Sequence, residues 1–192
     1  PGTAGSGAGY FMDAESEMER DTTAVAAERE ADIFATGRLI AQARRLASEY
    51  RRATGRPLAG ISNEVAVFDA AHLMDLEPAP GGGGGYDAIG HGGREGRRVQ
   101  VKGRAVFDER KGGQRIGQLN LDRQWDSLML VLMDEEFETY AIYEAARDEV
   151  VQALSQNGSR NFRGSRSVAR CKNISRLVWT RENGLEDEIW EN

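Results

Sequence analysis

Leu128-Met129-Leu130-Val131-Leu132 is an unbroken apolar run inside the segment Trp125–Met133. A run this short, rich in branched residues and bounded by polar turns, suits a strand buried on both faces. Such a strand needs cover above and below, which points to an α/β arrangement. Asp134-Glu135-Glu136 turns the chain, and Phe137–Tyr143 reads as its partner strand.

The segment Arg98-Val99-Gln100-Val101-Lys102-Gly103-Arg104 alternates instead. Strand geometry sends Val99 and Val101 to one face and Arg98, Gln100, Lys102 and Arg104 to the other. Three cations and an amide opposite an apolar face suggest a surface built for phosphate. About a dozen residues earlier, Tyr86-Asp87-Ala88-Ile89-Gly90 places a carboxylate at the end of a short strand. A carboxylate to hold a hard cation, a second oxygen ligand and a Lys beside the attacking water form the set a metal-dependent phosphodiesterase needs.

On these residues the chain resembles the PD-(D/E)xK nuclease superfamily, in the Mrr-like variant where Gln replaces the usual acid. The likeness covers roughly residues 61–143, with a weaker likeness to bacterial domains of unknown function towards Trp179. Tyr86 stands where the motif name has Pro, and Gln100 removes one negative charge from the metal site. The resemblance implies that Asp87 is the metal-binding Asp, Gln100 the second ligand and Lys102 the catalytic Lys, with Glu64 on the preceding helix completing the site. It implies a restriction-endonuclease-like core: a central mixed sheet flanked by helices, preceded here by a long N-terminal helix. Mg²⁺ or Mn²⁺ is the expected cofactor, held by Asp87, the Gln100 side-chain oxygen and the Val101 carbonyl, with Glu64 acting through water or on a second ion. Arg98 and Arg104 would grip neighbouring phosphates.

The net charge of -6 opposes a nucleic-acid partner until it is mapped. Residues 13–32 carry eight acids against Arg20 and Arg29, which accounts for the whole excess. Residues 94–115 reverse the balance, and residues 160–176, with Arg163, Arg166 and Arg170, carry six cations and no acid. That asymmetry is the footprint of a phosphate-binding surface; its plainer reading is two solvated basic loops. DNA is the expected partner, with RNA left open.

Three segments are expected: residues 1–12 as a disordered tail or expression remnant, 13–56 as a helical extension, and 57–192 as the nuclease-like domain. Residues 14–53, Ala-, Glu- and Arg-rich without Pro, favour one long helix, stopped by Thr54-Gly55-Arg56-Pro57. Ile33, Ile40, Ala43, Ala47 and Tyr50 fall near a heptad seam, read equally as packing on the chain's own core or as a homodimer contact. A second helix is expected over residues 62–76, capped by Ser62 or Asn63, with Ile61, Val65, Phe68, His72 and Leu76 buried. Glu64, one position off that stripe, is expected near the core; a first-turn Glu favoured by the helix dipole is the bland alternative. Pro78 and the glycines at 81–85 read as a flexible loop, since no Gly-Lys-Ser/Thr follows. Residues 90–93 read as a hairpin tip. Helices are expected over 144–156 and 167–177, joined by a polar loop at 157–165, and a closing strand over 178–180.

Cys171 is the only cysteine and His72 and His91 the only histidines, which leaves no zinc cluster or intrachain disulfide. No stretch approaches about eighteen apolar residues, and no charged-then-apolar segment opens the chain, so a cytoplasmic protein is expected. The reading is a Mg²⁺-dependent DNA endonuclease, possible in restriction or defence. The alternatives are a catalytically weak recognition subunit and an interaction protein assembled through the acidic helix.

Overall fold

A computed structural model describes residues 9–79, 84–107, 114–119, 121–155 and 167–186, with side chains from residue 23 onward. Among the described residues, four α-helices and seven strands follow in the order α1 (Gly9–Thr54), α2 (Ile61–Leu73), β1 (Leu76–Pro78), β2 (Ala88–Gly90), β3 (Arg98–Ala105), β4 (Ser127–Met133), β5 (Thr139–Ala146), α3 (Arg147–Ser155), α4 (Val168–Asn173), β6 (Arg176–Thr180) and β7 (Gly184–Leu185). The strands form one mixed sheet in sequence order. β3 and β4 are parallel, and every other pair is antiparallel. The central mixed sheet flanked by helices and the long N-terminal helix are as expected. Among the described residues, no helix is long and apolar enough to cross a membrane.

The chain divides into two compact units, Pro1–Ala41 and Gln42–Asn192. Helix α1 already includes residues 9–12, placed in the tail by sequence. In the first unit α1 leaves Val25, Ile33, Phe34 and Leu39 exposed. Its last turns belong to the second unit for a specific reason: three arginines there match the acidic β4–β5 turn. Arg44 pairs with Glu138 and Asp69, Arg51 with Glu135 at 3.1 Å, and Arg52 with Glu136. Arg51 also stacks on the Phe107 ring, 3.9 Å from its centroid. The helix stops where Gly55 takes a positive φ of 70° and its N–H returns to the Arg51 carbonyl.

β4 is buried along its whole length, as its apolar run requires. Its cover comes from two sides. Leu128, Leu130 and Leu132 meet Ile116 and Trp125 of the β3–β4 connection, Val150 of α3 and Cys171 of α4. On the other face α2 lies directly on β3 at Gly103. A Cβ there would stand 2.2 Å from the Ser62 carbonyl oxygen and 2.5 Å from the Ala66 Cβ. Only glycine permits that approach.

Helix α2 is rotated relative to expectation. It starts at Ile61 after Gly60, which has a φ of 90° and supplies no side-chain cap; neither Ser62 nor Asn63 caps it. Its buried residues are Val65, Ala66, Asp69 and Ala70, whereas His72 is exposed and Leu76 has left the helix for β1. The buried carboxylate of Asp69 takes Arg44 on one oxygen and the Thr139 hydroxyl on the other, so its cost of burial is met on both.

Further differences are local. Residues 92–94 form a 3-10 turn within the β2–β3 connection. β5 runs on through Glu144 to Ala146, so α3 begins only at Arg147. Helix α4 is shorter than expected, because β6 begins at Arg176. Apart from Gly84 and Gly85, the glycine run lies outside the described residues, as does the whole 157–165 loop.

Candidate active site at the open edge of strand β3

Strand β2 pairs with β3 over only two positions, Ala88 with Val99 and Ile89 with Arg98. β3 then continues to Ala105 with β4 on one side and no β2 partner on the other. The backbone groups on that free edge need acceptors. Asp87, the residue at which β2 peels away, supplies one: its Oδ2 accepts from the Val101 N–H at 2.7 Å. Two residues on, Asn63 of α2 offers Oδ1 to the Gly103 N–H at 3.4 Å. Asp87 is itself fixed by its backbone, donating to Val99 and accepting from Ala79. Its Oδ1 has no hydrogen bond among the described residues. The Val101 carbonyl shares the edge of its own N–H.

Gln100 is 3% exposed. Its Nε2 donates to the Gly85 carbonyl at 2.9 Å, and its Oε1 is buried without a hydrogen-bond partner. An orphaned buried amide oxygen costs about 1–3 kcal/mol unless something outside the chain satisfies it. Gly85 can hold this position because it has no side chain: at its φ of 118°, a Cβ would stand 2.0 Å from that of Arg123. Lys102 follows on the same face of β3, half-buried and without an ion pair or hydrogen bond among the described residues. Gln100 and Lys102 thus share one face of β3 while Asp87 holds its edge, and one oxygen of Asp87, one of Gln100 and the whole ammonium are uncommitted among the described residues.

Glu64 stands differently. It is exposed, because the buried stripe of α2 runs through Val65 and Ala66, and it makes no hydrogen bond or ion pair among the described residues. Helix α2 covers the Val99, Val101 and Gly103 face of β3, opposite the face of Gln100 and Lys102. The expectation of a carboxylate near the core is therefore corrected. The α2 residue that does reach the β3 edge is its neighbour Asn63, which sequence reading treated only as a cap. A short polar side chain in the first turn carries no signal that separates the two roles.

The basic face is thinner than the sequence suggests. Arg98 is engaged within the chain: it grips Asp126 through Nε at 3.0 Å and a terminal nitrogen at 2.9 Å, and gives its other terminal nitrogen to Gln124 at 2.8 Å. This hydrogen-bonded contact raises the Arg98 pKa and holds the Asp126 carboxyl below its ordinary range. It ties the start of β3 to the start of β4. Arg94 is committed as well, donating at 2.9 Å to Glu144, which is 0% exposed. Arg104 is exposed and unpaired among the described residues. Arg170 is exposed on α4, while Arg163 and Arg166 lie outside the described residues.

Among the described residues, no group of three or more His, Cys, Asp or Glu side chains could hold a metal ion. The donor set at Asp87 is of another kind: one carboxylate, one amide oxygen and one backbone carbonyl, all hard oxygen donors of the sort Mg²⁺ takes. The unpartnered Gln100 Oε1 is the observation that fits such an ion. No protein-family profile and no curated protein matches this chain.

Proposed function

We propose that the chain is a metal-dependent DNA endonuclease with a restriction-endonuclease-like core. The observation that carries the reading is the Gln100 amide: buried, pinned through Nε2 to Gly85, with Oε1 left over on the strand that carries Lys102 and takes Asp87 on its edge. Asp87, the Gln100 oxygen and the Val101 carbonyl would hold Mg²⁺ or Mn²⁺, with Glu64 reaching it only through water. When bound, the ion would acidify a coordinated water and neutralise charge on the scissile phosphate. Lys102 would orient that water and stabilise charge developing on the phosphate oxygens. Asp87 has a second task, since it also closes the free edge of β3 and fixes the height of the Val101 carbonyl. Arg104 and Arg170 would contact flanking phosphates; a homodimer through the exposed apolar residues of α1 belongs to the same proposal.

The deciding experiment is digestion of supercoiled plasmid with Mg²⁺ or Mn²⁺, parent beside Lys102→Ala. Divalent-dependent nicking by the parent, lost in the variant, supports the reading; equal activity of the two sinks it. One observation favours a second reading, a recognition subunit that binds DNA without cutting: the site holds a single carboxylate where a tighter one would hold two. Salt-sensitive binding without cleavage would select it.

A further inference from the structure

A cavity of about 280 Å³ lies between α3, α4 and the β3–β4 connection. Its floor is Leu128, and its walls include Val150 and Leu154 of α3 and Cys171 and Ile174 of α4. Leu128 is the β4 register partner of Gln100. The cavity therefore opens on the sheet face that carries Gln100 and Lys102, one strand further in. Its polar side chains are Arg170 and Asn173, both exposed and so at the mouth. The Arg170 guanidinium has no ion pair or hydrogen bond among the described residues. Apolar walls with a few convergent polar groups are the usual make-up of a small-molecule site. A planar guanidinium at the rim matches a carboxylate in two-point geometry.

We propose that this cavity binds a small amphiphilic carboxylate, its apolar body against Leu128 and Leu154 and its anionic end on Arg170. The inference stands on its own geometry and does not require the nuclease reading.

The test uses the intact chain with octanoate and 1-octanol as probes, both kept dilute enough to remain monomeric. Isothermal titration should give saturable octanoate binding, with 1-octanol at least tenfold weaker. Arg170→Gln should weaken octanoate at least tenfold and leave 1-octanol unchanged. Ala153→Trp, which places a ring in the cavity, should abolish both. Because Cys171 is the only thiol, a second readout locates the ligand in the parent itself: saturating octanoate should slow modification by N-ethylmaleimide at least fivefold. That reaction is run at alkaline pH, since burial raises the thiol. The proposal is overturned by absence of octanoate binding at millimolar concentration, by equal affinity for acid and alcohol, by an Arg170→Gln variant that binds like the parent, or by binding that leaves the thiol reactivity unchanged. If Ala153→Trp does not fold, the thiol protection in the parent decides alone.

Discussion

Two carboxylates of this chain, Asp69 of α2 and Asp87 at the edge of β3, are held in opposite ways. Asp69 is 7% exposed, and both its oxygens are taken, by Arg44 and Thr139. It joins α1, α2 and β5, and nothing is left to offer a ligand. Asp87 spends one oxygen on the Val101 N–H and keeps the other, and on the same strand as Val101 the Gln100 oxygen and the Lys102 ammonium have no partner among the described residues. Burial alone does not separate structural polar groups from functional ones. What separates them is whether the hydrogen-bonding capacity is used up within the chain.

The largest expected effect follows from the satisfied site. Asp69→Ala removes one partner of a buried pair and leaves the Arg44 guanidinium short of an acceptor. The expected loss is about 3–5 kcal/mol of unfolding free energy, read as a lower urea midpoint with an unchanged slope. A loss below about 1 kcal/mol would mean that Asp69 is no more structural than Asp87, and the contrast would fail.

Next is Asp87→Ala, which orphans the Val101 N–H on an edge that no strand covers among the described residues. A destabilisation of about 1–3 kcal/mol is expected. Asp87→Asn retains an acceptor oxygen and should recover most of that stability without recovering divalent binding by calorimetric titration. If the Asn variant binds Mg²⁺ as the parent does, Asp87 is a backbone cap only.

The Arg98–Asp126 tie sharpens the comparison from a third position, since its groups are satisfied but partly exposed. The Asp126 carboxyl titrates below its ordinary value of 3.8, mainly through its hydrogen bond to Arg98. A lowered folded-state pKa contributes stability that is complete above the unfolded value and is lost as pH falls through the folded one. The stability difference between the parent and Asp126→Asn should therefore be constant above about pH 5 and shrink below the ordinary carboxylate value. Urea midpoints measured from pH 7 to pH 2.5 decide this; a difference that persists to the lowest pH would remove the ion pair from the account. Exposure and salt screening keep its size modest.

How much of this was legible in the chain follows from how far each signal reaches. The buried β4 and the long α1 are written in local composition and period, and both are present over nearly their expected ranges. The β3 alternation correctly puts Gln100 and Lys102 on one face. The stripe of α2 was misplaced because one of its buried residues is Asp69, which no apolar pattern can flag. Glu144, expected to open a helix, is buried near the end of strand β5 before α3 and paired with Arg94, fifty residues away. Arg98 looked available for phosphate because its partner, Asp126, is distant in sequence and adjacent only through the parallel β3–β4 pairing. Sequence period reports which face a side chain occupies; it does not report which partners the fold brings to that face.

The smallest effect on stability and a large one on chemistry should coincide at Lys102. Its ammonium has no partner among the described residues and is half-buried beside Leu130, its register neighbour on β4. Removing a charge that no acceptor compensates should change the unfolding free energy by no more than about 0.5 kcal/mol. Lys102→Ala is thus expected to melt with the parent while divalent-dependent cleavage falls at least about 10²-fold, the scale for losing a group that stabilises transition-state charge. Lys102→Arg keeps the charge but replaces a compact ammonium by a planar fork, and should also leave the melt unchanged while restoring at most a small part of the rate. A Lys102→Ala variant destabilised by more than about 1 kcal/mol would reveal a structural partner for the ammonium, and Lys102 would then belong with Asp69, on the satisfied side of the comparison.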